Sequence, residues 1–305
     1  MSQTLLQLVQ AASGEMGLLP PLSVSGNTSS DVVQLMYLAN AVGNELAREY
    51  PWEALNISYA WYSQFTESDG AILEGTNTIV GVDPAAVAFI NSIGATKFQV
   101  QGEGIIQNTS VVSASGTSVV ITGVATGDGS GNYVFGQTQY DLPSGFDRIT
   151  DRTQYDKSKR WEMLGPETPQ QWQWLKSSYI STGPRIRWRI MGSTFQIWPL
   201  TSTNEYLGFE YISTNWANSS TGTSLPQFQN DTDTCIFPDR LMVLGLKKKY
   251  FEIKGFDTSA FQRDYDMQLN IAKSNDQGSP TLSLAPRTAN VLIGWENIPD
   301  ANYGS

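Results

Sequence analysis

Four segments of the chain carry a single apolar stripe at helical spacing, two near the N-terminus and two towards the C-terminus. A stripe of that kind has to be covered, so the fold must bring both pairs against partners. Leu5, Leu8, Val9, Ala12 and Met16 form the first, and Gly17 is free to take the left-handed position that ends a helix. Thr28-Ser-Ser-Asp31 reads as a capping start for Val32, Leu35, Met36, Ala39, Val42 and Leu46, a run that stops before Pro51. Pro238 and Asp239 open the third, with Leu241, Leu244, Tyr250 and Phe251 ahead of Gly255. Thr258 opens the fourth, with Phe261, Tyr265, Leu269 and Ala272. The expected fold class is α+β: a helical bundle with an adjacent antiparallel β-sheet, an inserted small β module and an extended C-terminal arm.

Between the helical ends the pattern turns to alternation. Ile57-Ser-Tyr59-Ala-Trp61-Tyr62 begins a stretch rich in Gly, Thr, Val and Ser that lasts to about Gly136. Within it Lys97–Val100, Ser110–Ala114 and Ser118–Thr122 read as strands, and Gly127–Gly131 as a turn. Thr168-Pro169 starts a helix through Trp172 and Leu175, and Arg185–Ile190 alternates strictly before a second strand from Thr194 to Pro199. The expected organisation has four parts. Residues 1–63 give the N-terminal helices and first strand of a core domain, and 64–147 an inserted acidic β-rich module. Residues 148–278 complete the core domain, and 279–305 form the arm.

Charge divides along the same lines. The chain has a net charge of −10, so it does not act as a whole-molecule clamp on DNA. Eight acidic residues and one lysine lie between Gln64 and Asp147, a local charge of −7, whereas residues 148–305 carry +1. Histidine is absent, which excludes Ser-His-Asp and Cys-His catalysis and the commonest transition-metal ligand. Cys235 stands alone, so no intrachain disulfide, CxxC pair or cysteine-built zinc site exists, and a small buried apolar group is the plain reading. No apolar run approaches the ~18 residues a membrane span needs, and the N-terminus has no basic leader, so a protein made in a cytoplasm and not spanning a membrane is expected. No catalytic residue, cofactor or metal is assigned.

Several constellations remain. Arg185, Arg187 and Arg189 share one strand face, opposite Ile186, Trp188 and Ile190. That stripe reads as a solvated sheet face with local carboxylate partners, or as a contact for an acidic surface or phosphates. Lys247, Lys248 and Lys249 complement the dipole of their helix. Asp239 with Glu252-Ile-Lys254 has the bare spacing of a restriction-type nuclease, but one continuous helix would hold the carboxylates at opposite ends. Asp128, Ser130 and Asn132 have calcium-loop spacing without the required glycine and terminal glutamate, which leaves a hairpin turn. Asp231 and Asp233 read as a loop terminus. Leu282, Leu284, Val291, Leu292, Ile293 and Trp295 are too apolar for a free tail, while Pro280, Pro286 and Pro299 oppose a helix, so they are candidate partner-binding residues.

Taken in order, TLLQLVQAASGEMGL, LMYLANAVGNELAREYPWEAL, YDLPSGFDRITDRTQYDKSKRWEMLGPETPQQWQWLKSS, FQIWPL, LGFEYISTNW and NDTDTCIFPDRLMVLGLKKKYFEIKGFD resemble the head-to-tail adaptor proteins of tailed, particularly short-tailed, bacteriophages. The likeness spans most of residues 3–275, and about 75–135 is similar to a small β module that recurs in phage virion proteins. The resemblance implies a non-enzymatic ring subunit, commonly twelvefold, at the head–tail junction of a virion assembled in the host cytoplasm. Its implied partners are the portal protein, tail nozzle or tail tube proteins, further copies of itself, and genomic DNA in non-specific proximity. The rival class is a carbohydrate- or receptor-binding tail protein, for which repeats or a trimeric coiled coil would be expected.

Overall fold

The Thr4 hydroxyl accepts from the Gln7 N–H while the Gln7 side chain accepts from the Thr4 N–H, and this reciprocal pair starts helix α1 (Leu5–Met16). Gly17 closes it in the left-handed conformation. The structure, a computed structural model, describes residues 2–177 and 185–276. Helix α2 (Ser30–Glu49) follows, and the chain then enters strand β1 (Asn56–Tyr62).

From there it forms a closed barrel. Strands β2 (Phe65–Ile72) and β3 (Thr78–Val80) lead to helix α3 (Pro84–Ile93), and β4 (Phe98–Gln101), β5 (Thr109–Ser115), β6 (Ser118–Ile121) and β7 (Gly129–Gln137) complete it. The order around the barrel is β2-β3-β6-β5-β4-β7, which leaves no free strand edge. Helix α3 is not among the sequence expectations. Asp83 accepts from the Ala85 N–H at 2.9 Å and Pro84 supplies the first turn, so Ala86, Val87 and Ile90 join Ile72, Ile79, Val100, Val119 and Phe135 in one core.

The next segment builds two facing sheets from β8 (Gln139–Asp141), β9 (Phe146–Ile149), β10 (Tyr155–Asp156) and β11 (Trp161–Glu162), followed by helix α4 (Pro169–Lys176). Beyond it lie β12 (Arg187–Met191), β13 (Thr194–Trp198) and β14 (Tyr206–Ser213). One sheet runs β1-β14-β10-β11, with β9 also on β14, and the other runs β12-β13-β8. Their facing side chains make an aromatic core in which Phe195 stacks on Trp188 and on Phe209, with Trp61 and Tyr140 against them.

A small sheet of β15 (Ala217–Asn218), β16 (Ser224–Leu225) and β17 (Thr234–Cys235) leads to helices α5 (Asp239–Lys254) and α6 (Ser259–Asp276). Helices α1, α2, α5 and α6 share a third core with Trp52, Trp216, Phe228 and Phe237. Gly43 on α2 makes this packing possible, because a Cβ there would come within 2.3 Å of the Trp216 ring.

The architecture corrects the expected class. It is mixed α/β and β-rich, with six helices, a closed six-stranded barrel and several sheets among the described residues, not a helical bundle beside one sheet. Helical periodicity is legible along a dozen or more residues. Strands as short as Tyr155–Asp156 and Trp161–Glu162 carry no period at all, and the strands that flank β14 come from residues 56–62, 146–149 and 155–156. The segment 279–305, with Leu282, Leu284, Val291, Leu292, Ile293 and Trp295, lies outside the described residues.

Candidate functional site

Tyr155 pairs with Gly208 and Asp156 with Leu207, so Tyr155 lies on the outer face of the sheet with Ser58 and Glu210 while Asp156 turns inward. The buried Asp156 carboxylate accepts from the Ser158 N–H at 3.0 Å and the Lys159 N–H at 3.2 Å, which fixes the turn between β10 and β11. Burial pushes its pKa above the usual carboxylate value, with the nearby Glu205 charge adding and the Lys159 N–H opposing. Glu205, also buried, accepts from the Lys159 ammonium at 2.7 Å and the Thr203 hydroxyl at 2.6 Å.

This turn exposes Lys157, Ser158, Lys159 and Arg160 at its tip. Lys157 lies over the Tyr206 ring, its ammonium 5.2 Å from the centroid, and its stem crosses Gly208, where a Cβ would meet Lys157 Cε at 2.9 Å. Arg152 and Arg160 both adopt left-handed backbone, with φ of 61° and 58°. Together with Tyr155, Ser58 and Glu210 they line an open groove of about 530 Å³. Glu210 accepts from the Asn56 amide at 2.9 Å. Among the described residues no carboxylate lies within 4.0 Å of Arg152, Lys157 or Arg160.

The arginine stripe on the opposite sheet is divided. Ile186 and Trp188 are buried, Arg187 and Arg189 are half-buried on the other face, and Arg185 is exposed just before β12. Arg187 pairs with the buried Glu167. Arg189 sits close enough to Lys176 that its charge, after burial, lowers the lysine's pKa. On α5, Lys247 pairs with Glu15 at 2.7 Å, Lys249 with Glu45 at 2.6 Å, and Lys248 lies over the Tyr265 ring.

The remaining carboxylates serve the backbone. Asp239 accepts from the Gln3 N–H at 3.0 Å and shares the sixteen-residue α5 with Glu252 and Lys254. Asp231 accepts from the Val24 and Ser25 N–H groups, and Asp233 from those of Gln229 and Asn230. Asp128 accepts from the Glu74 N–H at 2.8 Å. Cys235 is buried, and desolvation pushes its thiol up to about 12. Among the described residues no group of three or more Asp, Glu or Cys could hold a metal ion, and no helix is long and apolar enough to cross a membrane.

The barrel contributes an acidic ridge. Glu67 and Asp69 are exposed on β2, and Glu74, Glu103 and Asp128 are exposed around the end where Ile72 pairs with Gly129. Lys97, the one cation between residues 64 and 147, is engaged by Asp141.

A family model described as SU10 adaptor protein matches residues 118–287, which is more than half of the 305-residue chain. The chain belongs to the SU10 adaptor protein family. It is a phage structural adaptor, a virion component whose work is contact with other head and tail proteins and whose family role is not enzymatic. The matched span holds β6 and β7, both facing sheets except β1, and helices α5 and α6; strands β2 to β5 lie outside it. No curated protein matches the chain. The groove is what sequence reasoning missed in this adaptor. Its signal is Lys157-Ser-Lys-Arg160, three cations in four residues of a chain with only 16% charged residues.

Proposed function

We propose that this chain is the subunit of a ring, a dodecamer, that joins the portal to the tail of a short-tailed phage and forms part of the DNA channel at the head–tail junction. The family match carries the reading. The net charge of −10 supports it, because carboxylates along a channel wall repel the phosphate backbone and let DNA slide. In this reading residues 64–147 are an inserted module of a core domain formed by 1–63 and 148–278. The arm 279–305 then docks on the portal or a neighbouring copy through Leu282, Leu284, Val291, Leu292, Ile293 and Trp295. Tail nozzle or tail tube proteins meet the opposite side of the ring, and the chain uses no cofactor and turns over no substrate.

Electron cryomicroscopy of particles tests the reading. A ring coaxial with the DNA channel is the expected result, and density confined to a peripheral spike overturns it in favour of receptor binding. Truncation after Gly278 is expected to leave a folded protein that fails to join the portal. Assays for nuclease, ATPase and glycan hydrolysis should read background, and Glu252→Ala should leave the nuclease assay unchanged.

A further inference from the structure

Three cations on the outer face of the β1-β14-β10 sheet have no carboxylate partner among the described residues, and the fold holds each in place. Arg152 and Arg160 keep a left-handed backbone that bulky side chains adopt only under constraint. Lys157 is laid across Gly208 against Tyr206, and the buried Asp156 fixes the turn that carries it. The same chain carries its electrical opposite. Glu67, Asp69, Glu74, Glu103 and Asp128 are exposed on the barrel with no cation within 4.0 Å among the described residues.

A closed ring of identical subunits uses a heterologous interface, in which one patch meets a different patch on the next copy. Copies with a net charge of −10 repel each other at long range, so their contact has to be locally complementary. We propose that the groove of Arg152, Lys157 and Arg160 receives the acidic ridge of a second copy, with Glu67, Asp69 and Glu74 foremost. The inference rests on the ring reading above. The groove's mixed character selects a protein occupant over DNA. A duplex presents a negative charge every ~1.7 Å without a break and would meet Glu210 in the groove. Beside the ridge, opposite Ala71 and Asp69, stand Ser130 and Asn132; the Ser130 hydroxyl and the second amide N–H of Asn132, whose first donates to Glu67 at 3.1 Å, suit an acceptor such as Glu210.

The test uses two full-length charge-reversed chains, R152E/K157E/R160E in the groove and E67K/D69K/E74K on the ridge, each checked for folding by circular dichroism. Sedimentation then reads assembly. Each variant alone is expected to associate about a hundredfold more weakly than the wild type. An equimolar mixture should regain assembly, because alternation satisfies every contact in an even-membered ring. A folded variant that assembles like the wild type overturns the inference, as does a mixture of folded variants that stays dissociated. If the groove variant assembles normally but no longer retains a short DNA duplex at low salt, the occupant is DNA and the inference is wrong. The ring reading fails separately: wild-type chains found outside any coaxial ring in particles would sink it whatever the variants do.

Discussion

The barrel and the two facing sheets are both β structures, yet they keep their cores in different ways. Every strand of the barrel finds its neighbours between residues 65 and 137, and its interior is mostly Val, Ile and Ala around Phe98, Tyr133 and Phe135. The facing sheets collect strands from 56 to 213 around Trp61, Trp188, Phe195, Phe209 and Tyr211. Closure lets the barrel satisfy its hydrogen bonds locally with modest side chains. The facing sheets need large rings to fill the space between strands that arrive from distant parts of the chain. Damage to the barrel should therefore stay local, while damage to the aromatic core should be felt throughout.

The sharpest way to break that contrast is Phe209→Ala. Phe209 is 2% exposed and touches the rings of Tyr59, Trp61, Phe146, Phe195 and Tyr211. The substitution is expected to cost about 3–5 kcal/mol in urea unfolding, with tryptophan fluorescence and helical dichroism lost in one transition. Helical signal surviving the loss of fluorescence would undo the contrast. Ile79→Ala, in the barrel, should cost about 2–4 kcal/mol and open residues 65–137 to proteolysis while the helical signal persists. Asp83→Ala removes the cap of α3 and should cost about 1 kcal/mol, again only in the barrel.

The smallest effect belongs to neither unit. Glu15 joins α1 to α5, and the hydrogen bond from Lys247, ahead of that from Arg240, holds its pKa below the usual 4.5. A lowered carboxylate contributes stability above its unfolded pKa and loses it as pH falls through the folded value. Between neutral pH and pH 4 and below, the wild type should lose a few tenths of a kcal/mol more than Glu15→Gln, because the pair is solvent-screened. Equal acid sensitivity of the two proteins would show that the pair contributes nothing.

What could be read beforehand follows from distance along the chain. The stripes of α1, α2, α5 and α6 are legible because each helix writes its pattern in consecutive residues, and β4, β5 and β6 because β-forming residues such as Val, Ile, Thr and Phe fill short runs between glycines. Barrel closure is not legible, since nothing in Phe65 announces a bond to Gly136. Helix α3 had a signal in Asp83-Pro84, but the apolar run after it lacks a polar face clear enough to separate it from a strand. The groove was hidden for the same reason as closure: Arg152, Lys157 and Arg160 are legible as charges, but the glycine and tyrosine that position Lys157 lie some fifty residues later.

The pairing of Phe65 with Gly136 places the barrel's entrance and exit side by side on adjacent strands. The Gln137 N–H donates to the Gln64 carbonyl at 2.8 Å, so the chain enters and leaves the barrel through a single doorway. In genetic terms, we propose that an exchange of the segment between these two residues leaves ends already within reach of each other.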